Sequence, residues 1–126
     1  MAQSYRDLEI YKLSLRLAIE IHEMSLKLPK FELYEEGSQI RKSSKSIVNN
    51  IVEGYARRKY KNEIVHFLTI ATAESDETQT HLEIIYKTKS LTDKEKYNYF
   101  YEEYRKLGRM LTKFNNSVIK NHISEK

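Results

Sequence analysis

The chain of 126 residues contains no cysteine, no tryptophan, one proline and three glycines. Without cysteine it can form no disulfide framework, no thiolate metal site and no cysteine nucleophile. Proline and glycine are the residues that most often interrupt helices, so their scarcity predicts few turns and long helices. The length fits one domain with a core of its own. We therefore predict a single all-α domain over residues 1–126.

Long apolar runs are also lacking, and no stretch of the sequence approaches the length of a membrane span. The first residues, Met1 to Asp7, carry charged side chains where a signal peptide needs an apolar core. These two features favour a cytoplasmic protein with no membrane partner.

Apolar residues recur at three- and four-residue steps, which is typical of amphipathic helices. The pattern predicts four helices, over residues 7–28, 37–57, 61–89 and 93–121. Ser4 or Asp7 is expected to cap the first helix and Pro29 to end it. Thr92 and Glu95 have the spacing of a capping box at the start of the fourth. Because short connections make successive long helices antiparallel neighbours, the predicted fold is an up-down antiparallel four-helix bundle.

Charge is distributed unevenly between the second and third predicted helices. Residues 62–86 contain five acids and no Lys or Arg. Tyr55 and Tyr60 flank a basic cluster, and aromatic rings can stack on unpaired bases. Cations on one helix can neutralise phosphates and release counterions. The candidates for binding RNA or single-stranded nucleic acid are the seven cations of residues 41–61, namely Arg41, Lys42, Lys45, Arg57, Arg58, Lys59 and Lys61.

The same charges have a second interpretation, in which they serve protein contacts. The basic second helix could pack against the acidic third helix of the same chain, or its charges could simply form a solvated face. It could also join separate subunits, because complementary surfaces on one protomer favour head-to-tail contacts that close into rings. The alternative function is therefore a protein-interaction scaffold with no nucleic-acid role.

Catalytic patterns are sparse in this sequence. Glu63 and His66 have the Glu-x-x-His spacing of carboxylate-bridged metal bundles, but such sites need a second copy of the motif, which the chain lacks. No Ser, His and acid form a recognisable nucleophile motif, and there is no glycine-rich phosphate loop. We expect no metal site, no cofactor and no enzymatic activity.

Polar residues on the second and third helices are interpreted as structural. A buried Glu53 could act as a general base, but that role needs a partner and a pocket that the pattern does not supply. Buried polar groups usually form satisfied networks that fix the register of packed helices. Gly54 is expected to allow close helix approach. The candidates for one inter-helix network are Gln39, Asn50, Glu53, Gly54, Ser75 and Glu77.

A set of short motifs carries a resemblance to a known family. The set comprises Leu28-Pro29, Glu32, Gln39-Ile40-Arg41, Ser46-Ile47, Asn50-Ile51-Val52-Glu53-Gly54, Phe67-Leu68, Ala71, Ser75 and Glu77. In this order and spacing, the motifs resemble the four helix bundle protein family, also called the 23S ribosomal RNA intervening-sequence protein family. The similarity runs from Tyr5 to Ile119.

That resemblance implies an up-down antiparallel bundle that assembles into a ring-shaped homo-oligomer, a homopentamer in studied relatives. A related protein, the accessory variability determinant of diversity-generating retroelements, forms a basic ring that binds nucleic acid and a reverse transcriptase. The resemblance therefore implies further copies of the chain, nucleic acid or another protein as partners. The family name records where some of its genes lie and implies no ribosomal role.

Overall fold

The computed structural model describes residues 4–122, and over this range the protein consists of helices and contains no strand. Its four α-helices are α1 (Glu9–Ser25), α2 (Glu36–Ala56), α3 (Lys61–Lys87) and α4 (Lys94–Asn121). Short 3-10 turns lie over Tyr5–Asp7 and Lys30–Tyr34. The predicted all-α class is confirmed, and the four helices are consistent with a four-helix bundle.

The capping residues at the starts of α1 and α4 differ from the predicted ones. Ser4 and Asp7 do form a reciprocal capping box, but it closes the 3-10 turn ahead of α1. Asp93, and not Thr92, is the N-cap of α4, where its Oδ1 accepts a hydrogen bond of 3.0 Å from the amide of Lys96. The capping box predicted at Thr92 is therefore wrong by one residue, because a carboxylate caps as well as a hydroxyl does.

Side-chain contacts show that neighbouring helices run antiparallel. Glu36 at the start of α2 reaches His81 near the end of α3, at 2.6 Å. The rings of Tyr86 in α3 and Tyr97 in α4 stack 4.1 Å apart. Glu20, late in α1, accepts a hydrogen bond of 2.7 Å from Tyr99, early in α4. Each of these pairs joins early residues of one helix to later residues of its neighbour.

The core is built from one apolar stripe of each helix. Its most deeply buried side chains are Leu17, Ile21, Ile40, Ile47, Ile51, Leu68, Leu82, Ile85, Tyr104, Leu107 and Leu111. Burial of a side chain of this size contributes roughly 1.5–3 kcal/mol. All of them belong to the apolar stripes that the three- and four-residue spacing predicted. Val48 and Tyr55, also on α2, are only half-buried.

The interface between α2 and α3 is formed by small residues. A Cβ atom on Gly54 would lie 3.2 Å from the Cβ of Phe67, so the two helices approach closely at this point. Ser43 and Thr78, both fully buried, join the same helices by a hydrogen bond of 2.8 Å. Small side chains thus let α2 and α3 pack closely while satisfying polar groups between them.

Within residues 4–122, none of the helices is both long enough and apolar enough to span a membrane.

Candidate functional site

Arg41 is held inside the protein's own structure. Its Nη1 donates to Ser25 Oγ at 2.9 Å and its Nη2 donates to the carbonyl oxygen of Leu33 at 2.6 Å. The guanidinium therefore ties α2 to the end of α1 and to the turn that follows it. Two of the five N–H donors of this guanidinium are thus used within the chain and the side chain is half-buried, so Arg41 is a poorer candidate for a nucleic-acid surface than the exposed cations of the same segment.

Arg57 is neutralised within the chain. Its guanidinium pairs with Glu53 one turn earlier in α2 and lies 3.2 Å from Glu63 at the start of α3. It also lies over the ring of Phe67, 5.1 Å from the ring centroid. Glu63, the first acid of α3, thus packs against the basic end of α2. This contact within one chain is one of the interpretations that the charge pattern allowed.

The turn between α2 and α3 presents two cations beside aromatic rings. Arg58 is exposed and lies 4.1 Å from the centroid of Tyr55, to whose carbonyl oxygen it also donates a hydrogen bond. Lys59 is exposed, with its ammonium 5.8 Å from the centroid of Tyr60. Lys61, at the start of α3, is half-buried. The turn therefore combines positive charge with accessible aromatic surface.

Lys42 and Lys45 lie on the outer face of α2, and both are exposed. Lys45 borders the groove between α1 and α2. The distance along the helix axis from Lys45 to Arg58 is about 20 Å, from the rise of 1.5 Å per residue. Of the seven predicted cations, Arg41 and Arg57 are therefore bonded within the chain, and the other five belong to two separate surfaces.

The polar residues expected to form one inter-helix network are not brought together. Asn50 bonds Ser46 in its own helix, through Nδ2 to the carbonyl oxygen at 2.8 Å. Glu53 is exposed and pairs with Arg57, also in α2. Gln39 and Glu77 are exposed, and Ser75 Oγ is buried with no hydrogen-bond partner among residues 4–122. This part of the prediction is corrected, since the helical phase turns these side chains in different directions.

A different set of polar residues joins α2 to α3. His81 Nδ1 lies 2.6 Å from Glu36, and its Nε2 lies 3.5 Å from Glu77 on its own helix. Ser43 and Thr78 form the second link. Sequence reasoning missed both links, although Thr78 lies at helical spacing from the apolar residues Leu82 and Ile85 of α3, which was the available signal.

Glu32 is the one strongly buried carboxylate of the described chain, with 4% of its surface exposed. It accepts a hydrogen bond of 2.5 Å from Ser90 and one of 3.3 Å from the amide of Glu36. These bonds fasten the turn before α2 to the turn before α4. No periodicity marks Glu32, and the one signal in the sequence was its place among the motifs that resemble the family.

A polar cluster joins α1 to α4. Arg16 donates to Glu103 and to the hydroxyl of Tyr99, and that hydroxyl donates to Glu20 at 2.7 Å. The hydrogen bond to Glu103 raises the pKa of the Arg16 guanidinium above its ordinary value. Burial, followed by the hydrogen bond to Glu20, raises the pKa of the Tyr99 phenol. Tyr99 is thus bonded within its own chain.

An apolar surface runs along α1 and α2 on the outside of the molecule. Leu15 and Ile19 are 36% and 53% exposed, and Leu26 continues the same face beyond the end of α1. Leu15 and Ile19, together with Val48 of α2, border a groove of about 540 Å³. We call the side chains of Leu15, Ile19, Leu26 and Val48 the α1–α2 apolar surface.

The Glu63 and His66 pair shows no arrangement suited to a metal. Glu63 contacts Arg57, and the ring of His66 lies against Phe67 with centroids 5.2 Å apart. Over the part of the chain that the structure describes, there is no group of three or more His, Asp or Glu side chains that could hold a metal ion.

Comparison with known proteins adds a family and a fold. The family model of the 23S rRNA-intervening sequence protein matches residues 6–113. A solved structure from the S23 ribosomal protein family of Bacteroides thetaiotaomicron, a protein of unknown function, has a TM-score of 0.77 to this chain. The two are 24% identical, and the likeness covers 85% of this chain and 95% of the other. At this identity it concerns the fold alone. No curated protein matches the chain.

Proposed function

The chain belongs to the 23S rRNA-intervening sequence protein family, and from that premise we propose that it is a non-enzymatic protein that binds RNA or single-stranded nucleic acid. The family name records only where some of its genes lie, so the choice of nucleic acid as partner rests on the charges and aromatic rings of the chain's own surface. The binding surface in this proposal is narrower than the seven cations of residues 41–61.

The observation that carries the proposal is the turn between α2 and α3. Arg58 and Lys59 are exposed there, each beside a tyrosine ring, Tyr55 and Tyr60. Cations contribute salt-dependent attraction to phosphates, and tyrosine rings offer stacking surfaces for unpaired bases. Lys42 and Lys45 form a second basic surface on the same helix. In a ring-shaped oligomer, repeated copies of such weak surfaces would bind one strand with avidity.

A titration of labelled single-stranded RNA against the protein at several salt concentrations tests this proposal. We expect the logarithm of the affinity to fall linearly with the logarithm of salt concentration. Replacing Arg58 and Lys59 together by Ala should reduce the magnitude of that slope by about 1.4, because each lost phosphate contact on a single strand removes about 0.7.

The matched control is Lys27→Ala combined with Lys30→Ala, which removes two exposed cations at the opposite end of the bundle. It should leave the slope nearly unchanged. Absence of RNA binding by the unaltered protein at low salt would overturn the proposed function, and equal effects of the two double variants would remove the turn as its site.

A second candidate function, protein assembly, is favoured by the α1–α2 apolar surface. Exposed apolar side chains that line one contiguous face are typical of protein–protein contact sites. The occupant we propose is a further copy of the same chain, arranged as a ring-shaped homo-oligomer. Such an assembly would cover Lys45, which borders the same groove, but it would leave Arg58 and Lys59 accessible at the α2–α3 turn, at one end of the bundle. Without nucleic-acid binding, the protein would act as a protein-interaction scaffold.

A further inference from the structure

The last two thirds of α4 are basic and carry no acid. Residues 104–121 contain five Lys or Arg and no Asp or Glu. Three of these cations, Arg105, Arg109 and Lys113, recur every four residues, so they follow one side of the helix at intervals of about 6 Å. All three are exposed, and none has an ion-pair partner among residues 4–122. This distinguishes them from Arg57, which two carboxylates neutralise.

These three cations border a groove of about 710 Å³ between α3 and α4. From α3, Gln79 and Asp76 line the groove, and Asn116 continues the α4 side. Asp76 is the only acid among the lining residues, so the groove has three positive charges against one negative. The amides of Gln79 and Asn116 can donate hydrogen bonds to phosphate oxygens, as Asn and Gln side chains commonly do in nucleic-acid interfaces.

Aromatic rings adjoin the basic row. Arg105 lies 5.8 Å from the centroid of Tyr101, whose ring in turn lies 5.9 Å from that of Tyr97. Tyr97 stacks on Tyr86 of α3 with an interplanar angle of 6°. All three tyrosines are half-buried, so each keeps part of its ring accessible. A groove with a row of cations that continues into tyrosine rings has the two components of a single-strand binding site.

We propose that the α3–α4 groove binds the phosphate backbone of a single nucleic-acid strand through Arg105, Arg109 and Lys113, with Tyr101 as a stacking position. This inference rests on the proposed function and adds to it a site on a different face of the bundle. Regular spacing suits a polymer with repeated charges, and the guanidinium groups of the two arginines can each bind a phosphate in bidentate fashion. An acidic protein segment would not explain the adjoining aromatic rings.

The experiment compares the unaltered protein with the triple variant R105Q/R109Q/K113Q by fluorescence anisotropy, using a labelled single-stranded RNA of about 20 nucleotides. These side chains are exposed, so the variant should fold, and circular dichroism checks its helicity. We expect affinity to fall about tenfold or more and the salt slope to decrease in magnitude by about 2, as expected for three lost contacts. The control K27Q/K30Q/K94Q removes three exposed lysines elsewhere and should change affinity less than threefold.

Each other outcome has a definite meaning. If the unaltered protein binds RNA and the triple variant binds equally well, the groove proposal is wrong while the proposed function stands. If the unaltered protein does not bind, both are wrong. If the triple variant and its control lost equal amounts of RNA affinity, binding would depend on net charge alone and the groove proposal would be wrong. Equal competition by polyglutamate or by duplex RNA would overturn the assignment to a single nucleic-acid strand.

Discussion

Arg41 and Arg58 both belong to the basic segment around α2, yet their surroundings give them different roles. Arg41 donates to Ser25 and to the backbone of the turn after α1, whereas Arg58 stays exposed over Tyr55. Arg57, their neighbour, is paired with two carboxylates. Arg58 also donates to the carbonyl oxygen of Tyr55 and yet stays exposed, so exposure and ion pairing, and not hydrogen bonding alone, set how available each cation is to a phosphate.

Tyr104 allows a sharp test at this scale. Its ring is fully buried, and its hydroxyl has no hydrogen-bond partner among residues 4–122. A buried unsatisfied hydroxyl destabilises the folded state by about 1–3 kcal/mol. Tyr104→Phe keeps the ring and removes the hydroxyl, so we expect the free energy of unfolding at neutral pH to rise by about 1 kcal/mol. Tyr34→Phe, at a position 86% exposed, is the control and should change nothing.

The same substitution should change the response of stability to alkaline pH. Burial, and then the charge of Glu20, raises the pKa of the Tyr104 phenol above its ordinary value. Above pH 10 or so, the unfolded chain loses this proton while the folded chain keeps it, so stability falls as pH rises. Relative to Tyr104→Phe, the unaltered protein should lose about 1.4 kcal/mol per pH unit there. The free energy of unfolding is measured by urea denaturation at several pH values. If it changed equally with pH in the two proteins, this prediction would be wrong.

At the scale of elements, α4 combines an apolar face, a basic face and one glycine. Gly108 lies inside the helix, and a Cβ atom placed on it would meet nothing within 4 Å. Gly37, in the first turn of α2, is in the opposite situation, since a Cβ there would clash with the carbonyl oxygen of Glu32. The first glycine is a weakness of its helix, and the second is required for the turn to pack against α2.

Alanine substitutions should therefore have opposite effects at these two positions. Gly108→Ala should raise the free energy of unfolding by about 0.5–1 kcal/mol, because alanine loses less backbone entropy in a helix. Gly37→Ala should lower it by about 1–3 kcal/mol, because the backbone must shift to relieve the overlap. Urea denaturation followed by circular dichroism measures both. A stabilising Gly37→Ala would show that the turn before α2 adapts without cost.

At the scale of the whole molecule, the apolar surface and the basic groove lie on different faces. The α1–α2 face is apolar, with Ile19 and Leu26 more than half exposed, whereas the α3–α4 groove is basic. An assembly that covered the first face would leave the second accessible. Copies of the chain would then present repeated basic grooves to one polymer, which increases affinity without any new contact.

The assembly prediction is tested by one substitution on each face. Ile19→Glu places a charge in the proposed contact between copies, and burying an unpaired charge is costly, so the protein should dissociate to monomers. Ile119→Glu changes the same residue type at a similarly exposed position on α4 and should leave the assembly intact. Light scattering gives the mass of each protein. A monomeric unaltered protein, or equal masses for both variants, would contradict the prediction.

The sequence determined the helical class and nearly all of the core. Residues such as Leu17, Ile47, Leu82 and Leu107 are buried because apolar spacing of three and four residues places them on one face of a helix. The spacing of local motifs was also enough to indicate the family that the match over residues 6–113 shows. These properties depend on neighbours within one or two turns, which a sequence displays directly.

Only the tertiary structure decided which polar groups meet and which charges remain available. Glu32 is hydrogen-bonded to Ser90 and Arg16 to Glu103, although these partners lie 58 and 87 residues apart in the sequence. Helix phase and register set these partners, and a shift of one residue turns a side chain by about 100°. For that reason the number of charges alone predicted a nucleic-acid surface at residues 41–61. In the structure part of that segment is neutralised by acids of the same chain, whereas the row from Arg105 to Lys113 is exposed beside a groove.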